Sequence, residues 1–335
     1  MDLSIVIVNY KSVQHVINCL KSIYESNMGI EFEVIIVDND SRDNSKEIIC
    51  NTFLNVIWIQ SNYNAGFARA NNMGIKISKG RNILLLNADT IVIENAIEKT
   101  MIQFDKQPQY AACGIQLMNP DGSNQHSGAK FIKGGLNILL PLPYLGRLIR
   151  GAARIAGVEQ PNVFHVKNDI EVDWIIGAFI MTKKETIEKY GMLDEDFFMY
   201  AEEIEWCSRL REKGPMVLYS SPKVIHLGGG SSSDYYGVID NDNSWNLWSK
   251  KSRQIILSQF LRVRKQWGTY WFILILFFYA FEIPLFIFVL TIDKIINLGK
   301  TKYKWSNLFG YIKNMMAIFP LTYDVLLLKK KLYKI

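Results

Sequence analysis

The chain has 335 residues, 49% hydrophobic and 21% charged, which is ample for a sizeable core and too rich in apolar residues for disorder. Its net charge of +6 is unevenly spread: after Ile239 there are 15 Lys/Arg against 5 Asp/Glu, a surplus of +10, so the first 239 residues carry −4. An acidic globular part followed by a basic, aromatic-rich tail suggests an anionic-surface anchor and disfavours nucleic acid, because the basic residues interleave with long apolar runs.

Residues 3–8 (LSIVIV) read as a buried strand and 14–26 as a helix with Val16, Ile17, Leu20 and Ile23 on one face. Strands follow at 32–37, 56–60 and 83–86, alternating with helices at 45–51, 65–78 and 94–106, and 111–117 is strand-like. Apolar runs of this kind, separated by helices, predict an α/β fold with a mainly parallel central sheet covered on both faces. Between 120 and 166 the pattern loosens: Pro120-Asp121-Gly122 is a turn, and 134–157 mixes Leu, Ile and Pro with Arg147, Arg150 and Arg154. A strand is expected over 172–182, a helix after it to Tyr190, a patterned helix over 200–213, and a short last strand at 216–219.

The tail is of another kind. Residues 270–292 contain one charge, Glu282, and one proline, Pro284. The length suits a span, but Glu282 is costly in lipid and Pro284 kinks a helix. A single span, a re-entrant hairpin, two interfacial helices and a buried helical hairpin of a soluble protein all remain open. Lys and Arg on both sides favour shallow insertion at an anionic leaflet. The expected division is a globular domain at 1–239 and a basic, apolar, helical membrane-associated tail at 240–335. Cys19, Cys50, Cys113 and Cys207 form no C-x-x-C pair, and the N-terminus has no basic leader, so the globular part is expected in the cytoplasm.

In an open parallel sheet, ligands bind beyond the carboxyl ends of the strands. Asn9 and Tyr10 follow the first strand, Asp38 to Ser41 the second, Asn62 to Gly66 the third, and Asn87-Ala88-Asp89 the fourth. Neither G-x-G-x-x-G nor G-x-x-x-x-G-K-[ST] occurs, so a bound diphosphate lacks those cradles and calls for a divalent cation, with Asp89 the natural oxygen ligand. On a wheel of 200–213, Glu203 lies at the centre of an apolar arc of Tyr200, Ile204, Trp206, Cys207 and Leu210. Glu205 and Arg209 fall opposite as a solvated pair, and Glu202 on the flank. A carboxylate centred in an apolar arc is either ion-paired or a general base. His226 ends a short strand ahead of Gly228–Gly230 and Ser231–Ser233, a flexible loop able to close over phosphates.

Taken together, SIVIVNYKS, VIIVDNDSRDNS, NAGFARANN, LLLNADT, WIIGAF, DEDFFMYAEEIEWCSRLREKG and HLGGGS resemble glycosyltransferase family 2, specifically its bacterial rhamnosyltransferase-like members that build surface polysaccharides. The resemblance runs over about 3–267 and implies a GT-A type nucleotide-binding domain. It implies donor contacts from Asn9, Tyr10, Asp38, Asn64, Arg69, Asn71, Asn87, Asp89, Trp174 and Gly177. It further implies Glu203 as catalytic base and Asp89 with His226 as ligands of Mg²⁺ or Mn²⁺. Asn87 stands where a strict D-x-D has its first Asp, and Glu203 where the family often has Asp. Gln259-Phe-Leu-Arg262-Val263 lacks the Trp of the processive Q-x-x-R-W motif, so single-sugar transfer is expected. The implied reaction inverts the sugar, with dTDP-rhamnose the first-choice donor and a polyprenyl-diphosphate-linked glycan the acceptor, at the cytoplasmic face of a bacterial inner membrane. The alternatives are another donor, such as a UDP-hexose or UDP-galactofuranose, and a catalytically silent nucleotide-sugar-binding scaffold.

Overall fold

The computed structural model describes residues 1–26, 28–158, 160–228, 246–298 and 300–335. In chain order the elements are β1 (Leu3–Asn9), α1 (Val13–Tyr24), β2 (Phe32–Asp38), α2 (Ser45–Thr52), β3 (Val56–Gln60), α3 (Gly66–Ile77), β4 (Asn82–Leu86), β5 (Thr90–Val92), α4 (Ala96–Asp105) and β6 (Ala112–Met118). Next come β7 (Gly128–Ala129), a 3₁₀ segment (Lys133–Leu139), α5 (Leu145–Ile155), β8 (Asn162–Val163), β9 (Ile170–Val172), β10 (Trp174–Ile175), β11 (Phe179–Lys183), α6 (Lys184–Tyr190), α7 (Glu202–Leu210) and β12 (Met216–His226). Three long helices follow: α8 (Lys250–Trp267), α9 (Thr269–Ile296) and α10 (Trp305–Leu326).

Among the described residues, one compact unit holds 1–130, 161–198 and 202–228, and the other holds 131–160, 199–201 and 246–335. The first unit is built on a sheet with strand order β3-β2-β1-β4-β11-β6-β12-β5, with β9 added against β12. Strands β3, β2, β1 and β4 run parallel, as do β6 and β12, whereas β11 enters antiparallel between β4 and β6. The parallel strands are apolar on both faces because helices cover both, and β1, β2 and β4 are buried almost throughout. From β1 the chain goes to β2 on one side and β4 on the other, so the carboxyl ends of β1 and β4 flank the crevice where α/β sheets take their ligands. Gly66 opens α3 at φ +83, and a Cβ there would stand 2.1 Å from the Phe198 carbonyl oxygen, so only glycine lets these two backbones meet.

Two expected strands differ. The run at 172–182 is divided among β9, β10 and β11, because β10 joins β7 and β8 in a separate three-stranded sheet while β11 enters the main one. The last strand continues past 219 to His226. Pro222 falls at an irregularity between Tyr219 and Lys223, which absorbs the missing N–H, so the proline does not end the strand.

In the second unit α9 is one 28-residue helix running through Pro284. One side is buried along its length, at Phe272, Ile275, Tyr279, Glu282, Phe286 and Leu290. Glu282 is fully buried. Its carboxylate accepts the Tyr144 N–H at 2.7 Å and the Leu145 N–H at 3.0 Å, which satisfies donors left open at the start of α5. Burial raises the Glu282 pKa, while those two N–H groups pull it back.

Candidate active site

The carboxyl ends of β1 and β2 are joined by a polar cluster centred on Asp38. Its Oδ2 accepts Asn9 Nδ2 at 2.7 Å. Its Oδ1 accepts Gln60 Nε2 at 2.7 Å and the Ser41 N–H at 3.0 Å. Asn9 also donates to Ser41 Oγ at 3.2 Å and accepts from Ser12 Oγ at 3.2 Å, so its amide is held from both ends. A recess of about 170 Å³ opens here, lined by Asp38, Asp40, Arg42, Asp43, Ser45, Lys46, Trp58 and Gln60. Tyr10, the residue after β1, is half-buried.

The turn after β3 is held by asparagines. Asn39 accepts the Ala65 N–H at 2.8 Å and donates to Asn64 Oδ1 at 3.1 Å. On α3, Arg69 donates to the Glu195 carbonyl at 2.8 Å and to Tyr63 Oη at 3.3 Å. Asn71 is buried, and its amide donates to the Phe67 carbonyl at 3.0 Å, within its own helix.

Beyond β4 the chain turns through Asn87-Ala88-Asp89. The Asn87 N–H donates to the Ala178 carbonyl at 3.0 Å. Strand β12 brings His226 to the same turn, with Nε2 3.4 Å from Asp89 Oδ1 and 3.3 Å from Asn87 Nδ2. Neighbouring ligand atoms at right angles on a Mg²⁺ or Mn²⁺ ion lie about 3.0 Å apart, since each bond is about 2.1 Å. The Asp89–His226 pair therefore fits two adjacent positions on such an ion. Among the described residues no three His, Cys, Asp or Glu side chains gather as a metal-binding group. A cation held by this pair alone would take the rest of its coordination sphere from other oxygen ligands. The glycine- and serine-rich stretch after His226 lies, from 229 on, outside the described residues.

Glu203 reaches this region through Gly177-Ala178. A Cβ at Gly177 would sit 3.7 Å from the Cβ and Cγ of Glu203, and Ala178 is the residue bonded to Asn87. Asn87 and Glu203 thus both border the Gly177-Ala178 segment. Trp174 is buried on β10, edge-on to His126 with ring centroids 5.4 Å apart.

The helical wheel is corrected here. Glu203 is half-buried, whereas Glu202 and Glu205 are buried at 3% and 6% exposure. The helix starts at Glu202, and Tyr200 and Ala201 precede it at φ +72 and +67, so Tyr200 contributes nothing to a helical face. Glu205 is no solvated partner. Arg209 grips both its oxygens, at 2.8 and 2.9 Å, and also donates to the Tyr190 and Met192 carbonyls. Sequence reasoning also missed Gln60 and Gln125. Gln60 is visible as the residue closing β3 at the strand ends. Gln125 follows the 120–122 turn that sends the chain back past β6, and its amide oxygen lies 2.8 Å from His226 Nδ1.

With the site so arranged, the chain belongs to glycosyltransferase family 2: the family's model, "Glycosyl transferase family 2", matches residues 4–171. Its sheet is the mixed, mostly parallel α/β sheet expected of that family. Among curated proteins it is similar to a low-salt glycan biosynthesis hexosyltransferase of Haloferax volcanii, 29% identical over 63% of this chain and 62% of that one, so the match spans less than two thirds of that relative. It is similar to an N-acetylglucosaminyl-diphospho-decaprenol L-rhamnosyltransferase of Mycobacterium tuberculosis, 24% identical over 63% of this chain and 76% of that one. A dTDP-rhamnosyl transferase of Shigella flexneri is 25% identical over 61% of this chain and 63% of that one. Among solved structures, S. aureus TarS 1–349 aligns at TM-score 0.45 and 14% identity over 97% of this chain and 83% of that one.

Proposed function

We propose that the protein is an inverting glycosyltransferase that moves one sugar from a nucleotide sugar to a polyprenyl-diphosphate-linked glycan, with dTDP-rhamnose the first donor to test. The reading is supported by the Asp89–His226 pair at the turn after β4 and by Glu203 bordering Gly177, next to the Ala178 whose carbonyl accepts the Asn87 N–H. A divalent cation, Mg²⁺ or Mn²⁺, held by Asp89 and His226 would offset charge growing on the departing nucleoside diphosphate. Glu203, half-buried and bordered by Gly177, takes the proton of the acceptor hydroxyl as that oxygen attacks the anomeric carbon from the side opposite the leaving group. One displacement inverts the configuration. Asp38 holds the base. A carboxylate has about four acceptor positions, and three are taken by Asn9, Gln60 and Ser41, so a single N–H can still be accepted. That count supports a base offering one ring N–H, thymine or uracil, over guanine with its paired donors. The rhamnosyl relatives support dTDP-rhamnose, and the decaprenol-linked substrate in the name of the mycobacterial relative supports a lipid-linked acceptor.

The second unit supports peripheral attachment to the cytoplasmic face of a membrane. Helix α9 is long and apolar enough to cross a bilayer, but its packed side runs the whole way from Phe272 to Leu290. The opposite stripe, Tyr270, Ile273, Phe277, Phe281, Phe288 and Ile295, is exposed. Exposed Arg147, Arg150 and Arg154 on α5, and Lys300, Lys302 and Lys304, supply charge for anionic lipid.

The test is a panel of nucleotide sugars screened by thermal stabilisation with and without Mn²⁺, followed by transfer assays with the best donor. Glu203→Gln is expected to lower kcat by roughly 10²–10⁴ while donor stabilisation persists. Near-normal turnover in that variant refutes the base, and stabilisation by a donor with neither transfer nor hydrolysis favours the scaffold alternative.

A further inference from the structure

We propose that Gln125 is a positioning residue. A one-way chain of hydrogen bonds from the 119–123 turn runs through it to His226, dictates which ring nitrogen carries a proton, and presents Nε2 as a lone pair toward Asp89. The proposal rests on the reading that Asp89 and His226 hold a cation.

The direction of each link follows by elimination. Ser123 Oγ lies 2.6 Å from Asp121 Oδ1, and an ionised carboxylate only accepts, so the hydroxyl donates. Its one proton is then used, and Ser123 Oγ accepts from Asn119 Nδ2 at 2.8 Å. Asn119 therefore turns Oδ1 toward Gln125, whose Nε2 donates at 2.7 Å. The same Nε2 donates to the backbone carbonyl of His226 at 2.9 Å, an obligate acceptor. Two unrelated partners thus orient the Gln125 amide the same way. Its Oε1 faces His226 Nδ1 at 2.8 Å. An amide oxygen has no proton to give, so Nδ1 bears one. In a neutral imidazole the other nitrogen is then the acceptor. That nitrogen, Nε2, faces Asp89 at 3.4 Å and Asn87 at 3.3 Å. The hydrogen bonds from Ser123 also hold the Asp121 carboxyl below its usual range, consistent with the ionised state at the head of the chain.

A group that holds the far nitrogen of a metal-binding histidine fixes its tautomer and ring angle, and its loss typically costs 10–100-fold in metal affinity. Two variants separate this role from a purely structural one. Gln125→Leu removes every hydrogen bond of the amide. Gln125→Glu also loses the two Nε2 donations but keeps an acceptor for the Nδ1 proton. If Gln125 only braces the turn, both variants suffer alike. If it positions His226, only Gln125→Leu loses the tautomer and the affinity.

Two readouts are needed on the full chain. The first is long-range ¹H–¹⁵N correlation of the histidine rings at mildly alkaline pH, with His226→Gln to assign the signal. The wild type and Gln125→Glu are expected to show His226 protonated at Nδ1, and Gln125→Leu a tautomer mixture. The second is Mn²⁺ affinity by electron paramagnetic resonance with a nucleoside diphosphate present, expected to fall 10–100-fold in Gln125→Leu and under threefold in Gln125→Glu. An Nε2-protonated His226 in the wild type, or an unchanged ring spectrum in Gln125→Leu, overturns the proposal, as does an equal loss of Mn²⁺ affinity in both variants. Asp89→Asn separates the premise. If it binds Mn²⁺ as the wild type does while the tautomer result holds, the cation assignment fails and the hydrogen-bond chain stands.

Discussion

Replacing Asp38 by alanine is expected to destabilise the first unit before it says anything about nucleotide binding. The carboxylate is 2% exposed and accepts from Asn9 Nδ2, Gln60 Nε2 and the Ser41 N–H. Gln60 is exposed, so its amide can turn to water at little cost. Asn9 and Ser41 are buried and cannot. Each loses a hydrogen bond to a charged acceptor, worth about 1.5–3 kcal/mol. Asn9 keeps its longer bond to Ser41 Oγ, which brings the sum to about 3–5 kcal/mol, against a typical domain stability of about 5–15 kcal/mol. Asp38→Asn should be far milder. The new amide would place a donor against Asn9 Nδ2, but Asn9 can reverse, because its other partners are hydroxyls, Ser12 Oγ able to rotate to accept and Ser41 Oγ to donate, which leaves a cost of about 1 kcal/mol. Urea titration followed by far-ultraviolet circular dichroism measures both. A loss below about 1 kcal/mol in Asp38→Ala refutes the description of a carboxylate holding buried donors. Donor affinity is therefore best read in Asp38→Asn, where the fold survives.

Other outcomes follow from single contacts. Gly66→Ala places a methyl 2.1 Å from the Phe198 oxygen at a left-handed φ, so a loss above about 3 kcal/mol is expected in a thermal melt, and a wild-type Tm contradicts the close approach. Burial lowers the His126 pKa from 6.5, so the unfolded chain takes up a proton that the folded one resists. Stability is then lost as pH falls below about 6.5, and His126→Phe should shrink the Tm difference between about pH 7.5 and pH 5.5; an unchanged difference counts against it. Glu282→Ala strands the Tyr144 and Leu145 N–H groups, so hydrogen exchange at the start of α5 should accelerate, and unaltered protection would show that water replaces the carboxylate. Sedimentation with phosphatidylglycerol vesicles but not with phosphatidylcholine vesicles is expected, and charge reversal at Arg147, Arg150 and Arg154 should weaken it; equal binding to both lipids removes the basic contribution.

Much of the first unit was legible because its strands are buried on both faces and so stand out as continuous apolar runs, such as IVIV before Asn9 and ILLL before Asn87. The polar residues at their carboxyl ends were legible for the same reason, since the runs stop where the crevice begins. Strand partners were not. Nothing local in 172–182 says that Trp174 joins one sheet and Phe179 another, because partner choice depends on distant chain. Helix α7 misled because a wheel assumes one buried side, while a second side of the helix is covered by the 190–192 segment, whose carbonyls Arg209 and Trp206 reach. Gln125 escaped notice since its meaning lies in partners at 119 and 226, one near and one far.

The tie between Glu282 and the first turn of α5 also bears on biosynthesis. Its two ends are 137 and 138 positions apart, so a ribosome delivers Tyr144 and Leu145 long before the carboxylate that receives them. At about 5–20 residues per second, α5 waits for roughly 7–28 seconds with its opening turn unsealed and its basic, greasy surface available to any nearby holdase or lipid. The second unit therefore closes late in synthesis, and a chain cut short before Glu282 leaves the opening turn of α5 without the carboxylate that receives its N–H groups.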